Sequence, residues 1–133
     1  MKSSKIILYV VIGVLILVLS LMYMYFKSVT DIENVKLEGY IYDKKTSIPI
    51  ENVTIIINSD RYQNDLGHEN FDEYLGHDII ELKSNKDGFY STTIKRSAFL
   101  WIDFKKDGYI STSKEGDFSS KYIKDKIYLE KVE

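Results

Sequence analysis

The stretch "VKLEGYIYDKKTSIPIENVTIII", residues 35–57, alternates apolar and polar side chains, breaks at a proline, and then alternates again. Val35, Leu37, Gly39 and Ile41 fall on one phase, and Lys36, Glu38, Tyr40 and Tyr42 on the other. Period two is the signature of a strand with one face buried. Residues 44–52 form a connection. Pro49 within it has no N–H to give a ladder, which places it at an edge or turn. "VTIIINS", 53–59, is dense in β-branched residues, with Val53, Ile55 and Ile57 on one face and Ile56 on the other. Two strands and a tight return are the expectation.

The rest of the chain repeats this grammar. "DIIELKS" (78–84) and "FYSTTI" (89–94) flank Asn85-Lys86-Asp87-Gly88, where Asp-Gly supplies a hairpin turn. "AFLWIDF" (98–104) places Leu100, Ile102 and Phe104 inward, with Phe99 and Trp101 opposite. A second Asp-Gly, Asp107-Gly108, turns the chain again. "KYIKDKIYLEKV" (121–132) puts Ile123, Ile127 and Leu129 on one face. Short strands at this spacing predict an all-β fold, a small antiparallel β-sandwich of about seven strands over residues 35–133.

Residues in family order sharpen that reading. Gly39, Ile41, Asp43, Pro49, Ile50, Val53 and Ile55 match a pattern of G-x-(V/I)-x-D, a polar turn, then P-(I/L)-x-x-(V/A)-x-(V/I). Ser84, Asp87, Gly88 and Tyr90 match a Thr or Ser followed by x-x-D-G-x-(F/Y). Lys106, Gly108 and Tyr109 match K-x-G-Y. Together they resemble carboxypeptidase regulatory-like domains, over residues 35–132, which implies a transthyretin-like (prealbumin-like) sandwich. The resemblance is to an accessory domain and implies no peptidase activity. The transthyretin-like hydrolases of 5-hydroxyisourate carry a C-terminal Tyr-Arg-Gly-Ser motif and paired histidines. Leu129–Glu133 does not match them, so that activity is not implied either. Gly39, Asp43, Pro49, Asp87, Gly88, Tyr90, Gly108 and Tyr109 read as structural. The glycines suit turns or close approach, the aspartates suit backbone N–H groups, and a buried tyrosine needs a partner for its hydroxyl.

A different pattern precedes the strands. Residues 6–26, "IILYVVIGVLILVLSLMYMYF", are 21 uncharged residues behind a short basic N-terminus, 1–5. At 1.5 Å per residue they span about 31 Å, the thickness of a bilayer's hydrocarbon core. Tyr9 at one end, and Tyr23, Tyr25 and Phe26 at the other, suit the aromatic belts at the two interfaces. The run is longer than a signal peptide's apolar region and ends in large residues, so an uncleaved single-pass anchor through Ile6–Phe26 is expected. Lys2 and Lys5 favour a cytoplasmic N-terminus, which would place the C-terminal domain in the periplasm or outside the cell. Residues 27–34 read as a linker.

Composition removes several function classes. Setting Lys2 and Lys5 aside, 16 Lys and Arg face 20 Asp and Glu after the anchor, with the two signs interleaved. No basic stripe for nucleic acid is present. The chain has no Cys, hence no disulfide and no thiol nucleophile. No G-x-S-x-G motif occurs. No catalytic residue and no cofactor is expected.

The two histidines lie in "DLGHENFDEYLGHD", 65–78, inside an insertion spanning 60–78. His68 and His77 are the candidate metal ligands. A spacing of nine points them to opposite sides of either a helix or a strand, and a zinc site needs three or four protein ligands. Phe71, Tyr74 and Leu75 instead read as the apolar stripe of a short helix, capped near Asn64 or Asp65 and ended by Gly76. The expected function is a non-catalytic module that binds or scaffolds at the cell envelope. Its partners would be the lipid bilayer and an envelope or secreted protein, or a glycan. The alternatives are a small ligand- or metal-binding sensor using 60–78 and an accessory subunit of a membrane complex.

Overall fold

The computed structural model describes residues 2–133, which divide into one unit ending at Thr30 and a second from Asp31 to Glu133. The first is helix α1, Lys2–Ser28. Its 27 residues span about 40 Å, none of them is buried, and it is long and apolar enough to cross a membrane. The residues flanking the apolar run are helical as well. At its end the hydroxyls of Ser28 and Thr30 donate to the carbonyls of Tyr25 and Lys27, at 2.7 and 2.9 Å, serving acceptors that have no partner within the helix.

The second unit is a two-sheet β-sandwich. Its strands are β1 (Ile32–Asp43), β2 (Thr54–Arg61), β3 (Gly76–Lys83), β4 (Phe89–Ser97), β5 (Phe99–Lys105), β6 (Thr112–Phe118) and β7 (Tyr122–Leu129). One sheet has the order β4-β1-β7 and the other β3-β2-β5-β6. All neighbouring pairs are antiparallel except β1 and β7, which run parallel. The exception follows from connectivity. Each connection reverses the chain, so the first and seventh strands point the same way, and here they are neighbours.

The alternation read from residues 35–57 sets the core. Val35, Leu37 and Ile41 of β1 are buried against Ile55 and Ile57 of β2, and Leu100, Ile102 and Phe104 of β5 complete the layer. Ile123 and Ile127 of β7 pack on its margin, and Leu129 is fully buried. Two elements depart from expectation. Strand β6, "TSKEGDF", carries no apolar alternation because it is a mostly exposed edge strand, so nothing in its side chains announced it. The connection between β2 and β3 is shorter than residues 60–78, since β2 continues to Arg61 and β3 begins at Gly76.

The helix expected around Phe71, Tyr74 and Leu75 does not form, and Gly76 opens a strand instead of ending a helix. Tertiary anchors take precedence over that stripe. Asp31 accepts from the N–H groups of Tyr62 and Gln63 at 2.7 and 3.1 Å. The Asn64 side chain accepts from the N–H groups of Leu66 and His68, each at 3.0 Å. Tyr74 packs on Tyr62 and Phe99, with ring centroids 4.9 and 6.3 Å away. A free-standing turn or two of helix is too short to compete with these contacts.

Asp43 ties the motif residues together. Its Oδ1 accepts from the N–H groups of Lys45 and Thr46 at 2.9 and 3.0 Å, and the Tyr109 hydroxyl donates to its Oδ2 at 2.9 Å. One carboxylate therefore closes the turn after β1 and pins the turn after β5. The turn after β3 is not the hairpin expected, because β3 and β4 belong to different sheets and do not pair. Its acceptor is Asn85 and not the expected Asp87, and Asn85 takes the N–H groups of Asp87 and Phe89 at 2.9 and 3.0 Å. Ser84 Oγ accepts from Val53 N–H at 3.0 Å and donates to the Ile50 carbonyl at 2.7 Å. Pro49 bridges Tyr42.

These bonds to the charged form, the Thr46 N–H foremost, hold the Asp43 carboxyl down to about 2. A depressed carboxyl stabilises the fold above its unfolded value, about 3.9, and loses that contribution as pH falls through its folded value. Melting temperature is therefore expected to fall between about pH 4 and pH 2. Asp43→Asn should melt lower at neutral pH and show a flatter acid limb. Identical acid limbs for the two proteins would remove Asp43 from this role.

Candidate functional site

The two outer faces of the sandwich are furnished differently. On the β3-β2-β5-β6 sheet, the 62–75 loop lays Tyr74 against Phe99. On the same face His77 stacks on Trp101, with centroids 5.7 Å apart. On the β4-β1-β7 sheet the outward phases carry Lys36, Glu38, Tyr40 and Tyr42 from β1, Phe89, Ser91, Thr93 and Lys95 from β4, and Tyr122, Lys124, Lys126 and Tyr128 from β7. Strand register sets these side by side. Tyr40 faces Phe89 on one flank and Lys126 on the other, and Tyr42 faces Tyr128.

The result is a tiled aromatic surface. Tyr40 lies 5.0 Å from Phe89 and 6.3 Å from Tyr42, the latter pair nearly parallel at 14°. Tyr42 lies 5.8 Å from Tyr128. Lys126 Nζ sits over the Tyr42 and Tyr128 rings, 5.3 and 5.6 Å from their centroids, and Lys36 Nζ lies 5.8 Å from that of Tyr122. These are cation–π distances. The Tyr128 hydroxyl beside it raises the pKa of the Lys126 ammonium, so this cation is fully charged at neutral pH. Tyr40 and Tyr128 remain 44% exposed and Tyr122 65%. Such a surface offers broad, pre-positioned rings and positive charge, which suits recognition.

The residues singled out in the sequence lie elsewhere. His68 and His77 do not converge. His68 is exposed in the loop, while His77 Nδ1 is 2.6 Å from Asp60 Oδ1. Among the described residues no group of three or more His, Asp or Glu side chains is arranged to hold a metal ion. Gly39, Tyr90, Asp43, Pro49 and Tyr109 serve the core and its turns. Gly88 and Gly108 have φ of +70° and +82° in turns.

A cleft of about 670 Å³ opens between the β3 and β4 edges, lined by Arg61, Asp65, His77, Asp78, Lys95 and Arg96 among others. Its most buried cation is already engaged. Arg61 donates to Asp78 at 2.7 and 3.2 Å, to Asp65 at 2.6 Å and to the Gln63 carbonyl at 2.7 Å. Asp78 foremost, with Asp65, raises its pKa further. Arg61 anchors the loop, and the cleft is the weaker candidate.

The sequence reading placed Tyr40 and Tyr42 on the solvated phase and stopped there. The missed signal was tyrosine recurring on the outward phase of β1 and also of β7, where Tyr122, Lys124, Lys126 and Tyr128 alternate with the inward residues. Period-two reading finds which residues face out; only strand order shows that two such rows are adjacent.

No family model matches the sequence, and no curated protein sequence matches it. Solved structures do resemble the fold. A 3-chlorocatechol 1,2-dioxygenase from Rhodococcus opacus 1CP superposes with a TM-score of 0.55 at 13% identity, over 75% of this chain and 61% of its own. The group B streptococcus pilus 2b backbone protein gives 0.51 at 13% identity, over 74% and 41%. A mutant catechol 1,2-dioxygenase from Acinetobacter radioresistens gives 0.51 at 12% identity, over 77% and 53%. The chain thus spans between 41% and 61% of the lengths of these structures. What they share with it is an immunoglobulin-like or transthyretin-like β-sandwich.

Proposed function

We propose that this chain is a non-catalytic, membrane-anchored β-sandwich module that binds or scaffolds at the cell envelope through the outer face of the β4-β1-β7 sheet. The observation that carries the proposal is the outward tile of Tyr40, Tyr42, Phe89 and Tyr128, in which Tyr40 and Tyr128 are exposed, Tyr42 and Phe89 are half-buried, and Lys126 sits over Tyr42 and Tyr128. The four aromatic side chains form one contiguous row on an outer face, and apolar patches of this kind mark interaction sites. The motif residues support a carboxypeptidase regulatory-like domain, an accessory rather than a catalytic class. A sandwich of similar fold occurs in a pilus backbone protein, which supports a structural or binding role.

The test uses full-length protein in nanodiscs mixed with isolated envelope material. Wild type should sediment with it. Tyr40→Ala/Tyr42→Ala/Tyr128→Ala should bind about tenfold or more weakly, ~1.4 kcal/mol or more. Loss of exposed cross-strand pairs should cost its stability only about 0.2–1 kcal/mol per pair. Equal sedimentation of the two would sink the proposal.

Helix α1 acts as the anchor in this reading, with the N-terminus inside and the sandwich exported. Protease added outside the cytoplasmic membrane should digest the sandwich in intact cells or spheroplasts and leave a small membrane-bound N-terminal fragment. Protection of the sandwich until the cells are lysed would reverse the orientation.

A further inference from the structure

We propose that the occupant of the β4-β1-β7 outer face is an anionic glycan, a polysaccharide bearing carboxylate or phosphate groups. The inference rests on the binding role just argued for this face and names its ligand class. Charge gives the first reason. From Asp31 onward the domain is acidic overall, yet this face carries Lys36, Lys95, Lys124 and Lys126 against Glu38 alone. Glu38 is matched by Lys124 at 3.4 Å. Lys36, Lys95 and Lys126 have no carboxylate within ion-pair distance among the described residues. A positive face on an acidic body selects a polyanion and orients it.

Side-chain type separates the polyanions. The outward positions hold no Leu, Ile, Val, Met or Arg, so the apolar surface is entirely aromatic and the cations are entirely lysine. Protein interfaces enrich Met and Arg along with aromatics and deplete lysine. A pyranose instead presents a flat row of C–H bonds, which the electron-rich face of a tyrosine ring attracts, and polar edges that the phenol hydroxyls can reach. Tyr40 and Tyr42 are close to parallel along one strand, and Tyr128 extends the row across to β7. Successive sugars of an extended chain could rest on these rings while Lys126, poised above two of them, meets an acidic substituent.

Full-length protein in nanodiscs of neutral lipid would be titrated with polygalacturonate as the probe. Measurable binding is expected, weakened about tenfold or more by Lys36→Ser/Lys126→Ser and by the triple tyrosine variant. Methyl-esterified polygalacturonate, which keeps the sugar rings and loses the charge, should also bind about tenfold or more weakly. Competitors are polyglutamate, oligothymidylate and vesicles of anionic phospholipid. If any of them binds as tightly, and with the same dependence on the tyrosines, the ligand is not a glycan. If polygalacturonate fails to bind while envelope material is still retained through the tyrosines, the glycan class is wrong and the binding face stands. If neither binds, both fall.

Discussion

Ile55→Ala is expected to cost the sandwich about 2–5 kcal/mol, the range for truncating a fully buried Ile or Leu. Ile55 is 0% exposed, near the start of β2, which lies between β3 and β5. Its side chain enters the layer formed with Val35, Leu37, Ile102 and Phe104. Removing three carbons there leaves a cavity that two sheets cannot close without shifting register. Against a total of roughly 5–15 kcal/mol for a domain, that is enough to leave the variant barely folded. Its neighbour Ile56 points the other way, flanked in register by Glu81 and Asp103, and is only partly buried. Ile56→Ala should cost less than half as much. Urea melts of the two variants decide the matter: if Ile56→Ala proves the more damaging, the sheet is not packed through the face described above.

That pair of residues shows why most of the fold was legible. Buried faces follow a period of two, and a one-residue slip would expose Ile55 and bury Ile56, so sequence alone sets the register. The same holds for Leu100, Ile102 and Phe104. Legibility failed where burial did not constrain side chains. Strand β6 is held by its ladder with β5, which backbone groups supply and sequence does not advertise. The 62–75 loop is held by Asp31, far upstream in the sequence, and by the Arg61 fork, and no period within the loop announces either. The aromatic face needed a third kind of knowledge, namely that β7 returns to lie beside β1. Glycine was legible only in part. Gly39 could have marked a bend or a close approach, and the sequence left both open.

The structure chooses close approach, and this yields the sharpest test of the sandwich interior. Gly39 has no positive φ to explain its glycine. A Cβ built there would lie 2.5 Å from Tyr90 Oη and 2.6 and 2.7 Å from two ring carbons. Register explains the crowding. Gly39 faces Tyr90 across one flank and Asp125 across the other, so the ring lies over Gly39 along this inward row. Burial foremost, then the Asp125 charge, raises the pKa of the phenol. The hydroxyl and Asp125 Oδ2 nevertheless make no hydrogen bond, while Asp125 Oδ1 takes Lys114 from the opposite sheet. Tyr90 cannot swing aside cheaply, because it is 2% exposed and packs edge-on to Phe104 at 5.9 Å. Gly39→Ala is therefore an overpacking substitution, expected to cost about 1–3 kcal/mol. In a Tyr90→Leu background, which itself destabilises, the same change should cost far less, a coupling of about 0.5–3 kcal/mol between adjacent residues. Chemical denaturation of the four proteins in the cycle measures it. If Gly39→Ala costs as much without the ring as with it, the glycine serves the strand backbone and not the tyrosine lying over it.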